Sequence, residues 1–182
     1  SVVATHPDID QPMLERAVRP LFGGHTILRN VALAPDMVIR MVAPLAGNEG
    51  ALGLDYRQVP AQAEAADLAK REKRLVLAGP VALRQGGIGL ISRIPIFVED
   101  RQGGERFWGL VSAVIDLEKL YGRSGLLDKD SPIELAIRGR DGKGADGEVF
   151  FGRPELFSGD AVLATLPLPY GSWQLAAMPR GG

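Results

Sequence analysis

The sequence predicts an α+β fold in which an antiparallel sheet is accompanied by a few helices. Three observations support this prediction: strand-like segments follow one another along the chain, glycine and proline separate them, and only two stretches show helical periodicity. The chain has 182 residues, of which 46% are hydrophobic and 24% charged, a composition typical of a folded protein. This length allows one hydrophobic core together with a small additional unit.

The first predicted element is a helix over residues 10–22. Apolar residues recur there at helical spacing, Asp10 is suited to cap the N-terminus, and Pro12 fits the first turn. Pro20 and the glycine pair that follows it should end the helix.

Strands and a second helix are predicted between this first helix and Leu120. Apolar and β-branched residues predict strands at 26–34 and 37–45, joined by a turn at Pro35–Asp36. The second helix, at 60–74, starts with proline, is rich in alanine and carries acids before bases. The remaining predicted strands are a short one at 75–78 and two longer ones, 88–98 and 107–117, joined by a polar loop with glycine at its turn.

The character of the chain changes after Leu120. Glycine, serine and proline interrupt it at 122–125 and 128–132, and only short strand-like segments follow. A unit of about 50 residues buries too little surface to be stable alone, so we expect it to pack on the preceding part. These predicted strands are 133–139, 148–151, 161–168 and 172–178.

Composition and motifs exclude several classes of function. The formal charge is −1 with lysine and arginine evenly spread, which argues against nucleic acid as a partner. The absence of cysteine excludes disulfides and thiolate metal sites and leaves the compartment open. Neither His6 nor His25 has a carboxylate at metal-ligand spacing, so we expect no metal and no cofactor. The glycines at 86–89 precede a strand, which predicts a tight turn and argues against a phosphate loop.

A series of spaced motifs between Asn48 and Asp116 resembles one known family. It comprises the Leu-Gly-Leu corner that ends at Asp55, a Gly79-Pro80 pair followed by Leu83 and Gln85, a strand with proline and phenylalanine, and a hydrophobic segment from Trp108. Their order and spacing resemble the CHASE domain, the extracytoplasmic ligand sensor found in front of histidine kinases, diguanylate cyclases and related signalling enzymes.

The order of predicted strands and helices is that of a PAS-like sensor, an antiparallel sheet with helices and loops closing a pocket on one face. Together with the resemblance to the CHASE domain, this order implies three parts of the chain. They are the end of a stalk-type N-terminal helix at 1–24, a distal PAS-like ligand-sensing lobe at 25–121 and a smaller, membrane-proximal, β-rich subdomain at 122–182. The plain alternative for the first helix is packing across a sheet. The resemblance also implies a periplasmic position in an inner-membrane protein, flanking membrane helices outside this sequence, and a homodimeric receptor.

The resemblance points to candidate ligand-binding residues. In plant cytokinin receptors, which are CHASE proteins, an aspartate at the corner matching Asp55 binds the ligand, although capping a turn would equally explain this residue. Arg93 interrupts an apolar strand, where its alternation puts it on the face of Ile91, and it suits a carboxylate or phosphate. Further candidates for the site are Arg40, Tyr56, Leu77, Trp108 and Ser112.

The arginines on the predicted strands lead to a hypothesis about a shared cavity. Arg29 and Arg40 interrupt the two early strands as Arg93 interrupts a later one. Each could lie on a solvated strand face or in a salt bridge, and we hypothesise that one or more of the three face a shared cavity.

The function that follows is sensing, with no catalytic activity of the domain itself. A small molecule of unspecified identity would bind the distal lobe and regulate a cytoplasmic diguanylate cyclase, phosphodiesterase or histidine kinase. The alternative is a PAS-like periplasmic module that binds a protein and no small molecule, which a dry, side-chain-filled interior would favour. An enzyme ranks third, because it would need two close titratable groups with perturbed pKa values and Asp55 has no such sequence neighbour.

Overall fold

Two antiparallel sheets, three α-helices and six short 3₁₀ turns make up the described part of the chain, residues 8–100 and 102–181 of a computed structural model. The predicted α+β class is thereby confirmed. His6 lies outside the described residues, and His25 is exposed. The helices are α1 (Gln11–Val18), α2 (Pro60–Glu72) and α3 (Leu117–Arg123). The strands are β1 (Leu28–Pro35), β2 (Met41–Ala43), β3 (Val76–Ala82), β4 (Ile88–Glu99), β5 (Glu105–Asp116), β6 (Ile133–Arg138), β7 (Val149–Phe151), β8 (Val162–Pro167) and β9 (Ser172–Pro179).

The first sheet has the strand order β2-β1-β5-β4-β3, and all of its neighbours are antiparallel. The second sheet has the order β7-β6-β9-β8. The first sheet lies within residues 28–116 and the second within 133–179, which fits the predicted β-rich second part. The domain limits given above, 1–24, 25–121 and 122–182, stay a prediction.

Helices cover both faces of the first sheet. Because side chains alternate along a strand, Val31 and Leu33 of β1 face one side and Ala32 and Ala34 the other. Leu14 and Val18 of α1 join the first set, whereas α2 covers the second set. The α2 side therefore forms an interior between helix and sheet.

Helix α1 begins as predicted and ends earlier. The Asp10 carboxylate accepts a hydrogen bond from Met13 N at 2.8 Å, which confirms its capping role. The α-helix stops at Val18 and continues as a 3₁₀ turn, because Pro20 has no N–H to donate. The amide of Gln11 bonds both the carbonyl (2.7 Å) and the N–H (3.2 Å) of Val42, so the helix is attached to the edge strand β2.

The prediction of a strand over 37–45 was wrong for its first half. Asp36 and Met37 adopt positive φ angles of 45° and 67°, which turn the chain out of the sheet. Ile39 then pairs with the corner segment, donating to Leu54 O at 2.9 Å and accepting from Gly53 N at 2.9 Å. Only Met41–Ala43 returns to pair with β1.

Two further differences lie around the ends of the first sheet. The predicted short strand at 75–78 continues to Ala82, through an irregularity between Ala78 and Val81 that contains the Gly79-Pro80 pair. Helix α3 was not predicted, although Asp116 caps it by accepting from Lys119 N at 3.1 Å.

The second sheet contacts the first through a hydrophobic cluster and through hydrogen bonds that join Asp141 to Gly79 and Arg140 to Pro80. Leu90 of β4 packs with Leu117, Ile137 and Trp173, which belong to α3 and the second sheet.

Within the described ranges, no helix is both long and apolar enough to cross a membrane.

Candidate functional site

Arg93 is buried between the first sheet and α2. Its exposed fraction is 0%, and its guanidinium carbon lies 4.8 Å from the ring centroid of Tyr56. Burial lowers the pKa of Arg93, whereas Tyr56 and the charge of Asp141 act in the opposite direction. Arginine keeps its proton in proteins even so. The interior therefore contains a positive charge.

The hydroxyl groups of Tyr56 and Ser112 form a hydrogen-bonded pair beside this charge, at 2.9 Å. Ser112 stands opposite Arg93 in the β4–β5 register and opposite Ala32 in the β1–β5 register, so it occupies the centre of the sheet. Both hydroxyl residues are buried. The structure thus brings together three of the sequence-predicted site residues, Tyr56, Arg93 and Ser112.

Gln62 of α2 completes the cluster and was not predicted. Its Oε1 accepts a hydrogen bond from Nη2 of Arg93 at 2.8 Å, and its side chain is buried. The signal was weak, because a glutamine in an alanine-rich helix gives no indication of which face it occupies. Nε and Nη1 of Arg93 are buried without a hydrogen bond. We call Tyr56, Gln62, Arg93 and Ser112 the polar cluster.

A small cavity lies next to the polar cluster. Tyr56 and Gln62 contribute to its wall, together with Asn30 and Ile91 from the sheet and Leu54 from the corner segment. Its volume is about 20 Å³, little more than the space one water molecule requires. In this conformation the interior is therefore nearly filled by side chains.

Asp55 lies at the corner, but its carboxylate interacts outside the polar cluster. Oδ1 accepts from Arg57 N at 3.0 Å, capping the 3₁₀ turn at Tyr56–Gln58, and both carboxylate oxygens bond the Arg57 side chain at 2.8 Å. The hydrogen bond from Arg57 lowers the pKa of Asp55. This geometry matches the turn-capping interpretation, and ligand contact by Asp55 stays a prediction.

The other two arginines of the cavity hypothesis have different surroundings. Arg29 donates to Gly86 O at 2.6 Å and Gln85 O at 3.0 Å, which fixes the turn before β4 to β1. Arg40 is exposed. Of the three arginines, Arg93 is the one that is fully buried, and it contacts Tyr56 and Gln62 of the cavity wall without lining the cavity itself.

Leu77 and Trp108 lie away from the polar cluster. Leu77 packs against the cluster around Leu90 and Trp173, and its neighbour Val76 is the residue in register with Arg93. Trp108 packs with Leu14 and Val18 on the α1 side of the sheet. Their contact with a ligand stays a prediction.

A polar connection links this lobe to the second sheet. The Asp141 carboxylate accepts from Gly79 N at 2.7 Å, and Nε of Arg140 donates to Pro80 O at 3.0 Å. Gly79 has φ +111°, and a Cβ there would lie 2.8 Å from Gly89 O, so only glycine fits the position. The Gly-Pro motif thus forms the point of strand β3 that the β6–β7 connection of the second sheet holds, and β3 pairs with β4 at Arg93.

Comparison with known proteins gives one family and a set of similar structures. A family model of the CHASE domain matches residues 10–151. No curated protein sequence matches the chain.

Three of the similar solved structures are a ligand-binding receptor, the ligand-binding domain of a chemoreceptor and the sensor domain of a histidine kinase. An extracellular ligand binding receptor from Desulfohalobium retbaense aligns with a TM-score of 0.63 and 17% identity, covering 92% of this chain and 32% of that one. The ligand-binding domain of the Pseudomonas aeruginosa amino acid chemoreceptor PctC, in complex with GABA, gives 0.58 and 15%, covering 97% and 85%. The sensor domain of the V. cholerae histidine kinase DctB gives 0.56 and 10%, covering 100% and 83%. At these identities the likeness shows the fold alone.

Proposed function

The chain belongs to the CHASE domain family, and on that premise we propose that it is the small-molecule-sensing domain of a membrane-bound bacterial receptor. The ligand binds between α2 and the first sheet, and its binding regulates a cytoplasmic diguanylate cyclase, phosphodiesterase or histidine kinase. The receptor acts as a homodimer held in the inner membrane by helices outside this sequence, with the domain in the periplasm. The observation that carries the proposal is the incompletely satisfied polar cluster inside the lobe.

The chemistry of the cluster supports binding. Protein interiors pair nearly all of their buried polar groups, so an unpaired buried donor calls for an explanation such as a ligand. The cluster offers a cation, two hydroxyl groups and an amide within one apolar surrounding, the composition of a small-molecule site. Among the similar structures, the PctC domain was solved with GABA bound, which supports a metabolite-sized ligand for this fold.

A path for the signal starts at β4. Arg93 is in register with Val76 of β3, and three residues further along β3 the second sheet holds Gly79 through Asp141. A ligand that moves α2 or β4 changes the free energy of this contact. Two packings that differ in ligand affinity then supply the coupling, typically worth ~1–3 kcal/mol.

One observation favours the alternative, a protein-interaction module without a small-molecule ligand. The cavity of about 20 Å³ is close to the dry interior that this alternative expects. A self-sufficient interior would, however, satisfy its polar groups, and Nε and Nη1 of Arg93 are unsatisfied. We therefore place small-molecule sensing first.

A thermal-shift screen tests the two functions. The purified domain is melted with amino acids, carboxylates, nucleobases and adenine derivatives, and a small-molecule sensor shows a concentration-dependent rise in melting temperature. Hydrogen exchange then follows the Gly79 amide, whose protection should change when the hit binds. No rise with any class would contradict small-molecule sensing and favour the protein-binding module.

A further inference from the structure

The chemical class of the ligand follows from the unpaired part of the polar cluster. Arg93 is fully buried, and Nη2 of its guanidinium donates a hydrogen bond to Gln62. Nε and Nη1 together carry three N–H donors, and none of the three has a partner. In residues 8–100 and 102–181, no carboxylate lies within ion-pair distance of Arg93.

An arrangement of this kind is unfavourable in the absence of a partner. Burying a charge without a counter-ion costs a large fraction of the stability of an ordinary domain. The cation–π contact with Tyr56 and the bond to Gln62 offset only part of that cost, because neither supplies a negative charge. The charge of Asp141 acts on Arg93 only from beyond ion-pair distance, and its carboxylate accepts a hydrogen bond from Gly79 N. The protein retains a group whose favourable partner is an anion.

The charge of the polar cluster limits the charge of the anion that it can bind. Arg93 is the single cation in the polar cluster, so one negative charge neutralises it and a phosphate dianion would leave a second charge uncompensated. A planar carboxylate matches the planar guanidinium in shape and hydrogen-bond geometry. The apolar neighbours on the same side, such as Ala32 and Ile91, suit an uncharged remainder.

We infer that this sensor recognises a small carboxylate with one net negative charge, whose carboxylate group binds the unpaired N–H groups of Arg93. This inference rests on the proposed function and adds the ligand class to it. Since the cavity holds only about 20 Å³, the bound state differs from the present one, with α2 and the segment 48–58 displaced from the sheet. The displacement of α2 would change the hydrogen bond between Gln62 and Arg93, because this bond attaches the helix to the sheet.

The test compares charged probes with neutral analogues of the same shape. The melting temperature of the purified chain is measured with propionate and benzoate, with their amides, with inorganic phosphate and with chloride, all at matched ionic strength. A carboxylate at a hundredfold excess over its Kd should raise the melting temperature by about 5–10 °C, and the amide should not. The effect should decline as the pH falls through the pKa of the carboxylate, about 4 to 5.

Two variants locate the effect at Arg93. Arg93→Met keeps most of the volume and removes the charge, so it should abolish the response while leaving the ligand-free melting temperature equal or higher. Arg106→Met is the control, because Arg106 is exposed on β5, and it should respond like the wild type. If Arg93→Met fails to fold, Arg93→Lys replaces it and should respond to carboxylates with at least tenfold weaker affinity.

The possible outcomes distinguish a failure of the carboxylate assignment from a failure of the proposed small-molecule sensing. Equal responses to carboxylate and amide, a response to chloride as large as to carboxylate, or an undiminished response in both Arg93 variants would overturn the carboxylate assignment. A nucleobase or cationic hit would also overturn it while leaving small-molecule sensing intact. If no class of compound, charged or neutral, raises the melting temperature, both proposals fail.

Discussion

Tyr56 and Ser112 share a hydrogen bond of 2.9 Å in the centre of the lobe, although 56 positions separate them in the chain. The bond joins the corner segment to the middle strand β5, directly beside Arg93. Neither hydroxyl can reach solvent, since Tyr56 is 2% and Ser112 is 0% exposed. The corner that carries the family motif is therefore fixed to the sheet by a polar contact as well as by packing.

This pair gives a prediction about stability. Ser112→Ala and Tyr56→Phe each remove one hydroxyl group and leave the other one buried without its hydrogen-bond partner. Each should therefore lower the free energy of unfolding by about 1–2 kcal/mol. The double variant should cost less than the sum of the two, with a coupling of about 0.5–1.5 kcal/mol. Urea unfolding of the four proteins measures the cycle. Additive costs would show that the two hydroxyl groups act independently.

Asp141 supports a second prediction, about the connection between the sheets. Its carboxylate accepts from Gly79 N, and its own φ is +59°, a conformation that aspartate and asparagine tolerate better than alanine. Asp141→Ala should therefore lower the free energy of unfolding by about 1–3 kcal/mol and speed hydrogen exchange at the Gly79 amide.

Two variants control for charge and position in this experiment. Asp141→Asn keeps an acceptor oxygen and the backbone preference, so it should remain close to the wild type. Asp146→Ala changes an exposed aspartate of the same loop region and should be neutral. An equally destabilised Asp141→Asn would mean that the charge of the carboxylate, rather than its hydrogen bond, holds the sheets together.

Much of the fold could be predicted because its signals are local. The cap at Asp10, the proline at the start of α2 and the glycine turn before β4 all act through neighbours in sequence, and all three are observed. The strand at 37–45 was predicted from apolar composition, which cannot distinguish a strand from a buried turn. The positive φ values at Asp36 and Met37 depend on tertiary pairing of Ile39 with Leu54.

The candidate site could be predicted only in part, for the same reason. Strand alternation placed Arg93 on the face of Ile91, and the corner motif drew attention to Tyr56. The bond from Arg93 to Gln62 joins residues 31 positions apart, and helical pattern alone did not indicate that Gln62 faces the sheet. Asp55 attracted attention through resemblance, whereas its closest charged partner, Arg57, is only two residues away.

Gly109 supplies a prediction about the centre of the sheet. Its φ is +156°, and a Cβ at this position would lie 2.2 Å from Ala34 O on the neighbouring strand. Gly109→Ala should therefore disrupt the β1–β5 pairing and lower the free energy of unfolding by about 3 kcal/mol or more. Gly23→Ala is the matched control, because a Cβ there meets nothing within 4 Å. Circular dichroism melts compare the two, and similar melting temperatures would contradict the steric argument.

The last prediction concerns acid and the Asp55–Arg57 pair. The hydrogen bond from the Arg57 side chain lowers the pKa of Asp55 below its ordinary value of 3.8 in the folded state. The unfolded state therefore binds a proton more readily than the folded state, and stability falls as the pH falls. The contribution of this pair should be complete above about pH 4 and should disappear as the pH drops through the lowered folded-state pKa.

NMR titration of the Asp55 carboxyl carbon measures this directly. In the wild type the midpoint should lie below 3.8, and in Arg57→Gln it should rise towards that ordinary value because the main cause of the shift has been removed. Salt should reduce the shift, since the Arg57 side chain is 53% exposed and the pair is therefore screened by solvent and ions. A wild-type midpoint above 3.8, or a midpoint unchanged by Arg57→Gln, would mean that the carboxylate has another partner. An aspartate available for a ligand rather than for Arg57 would then become the better interpretation of the corner.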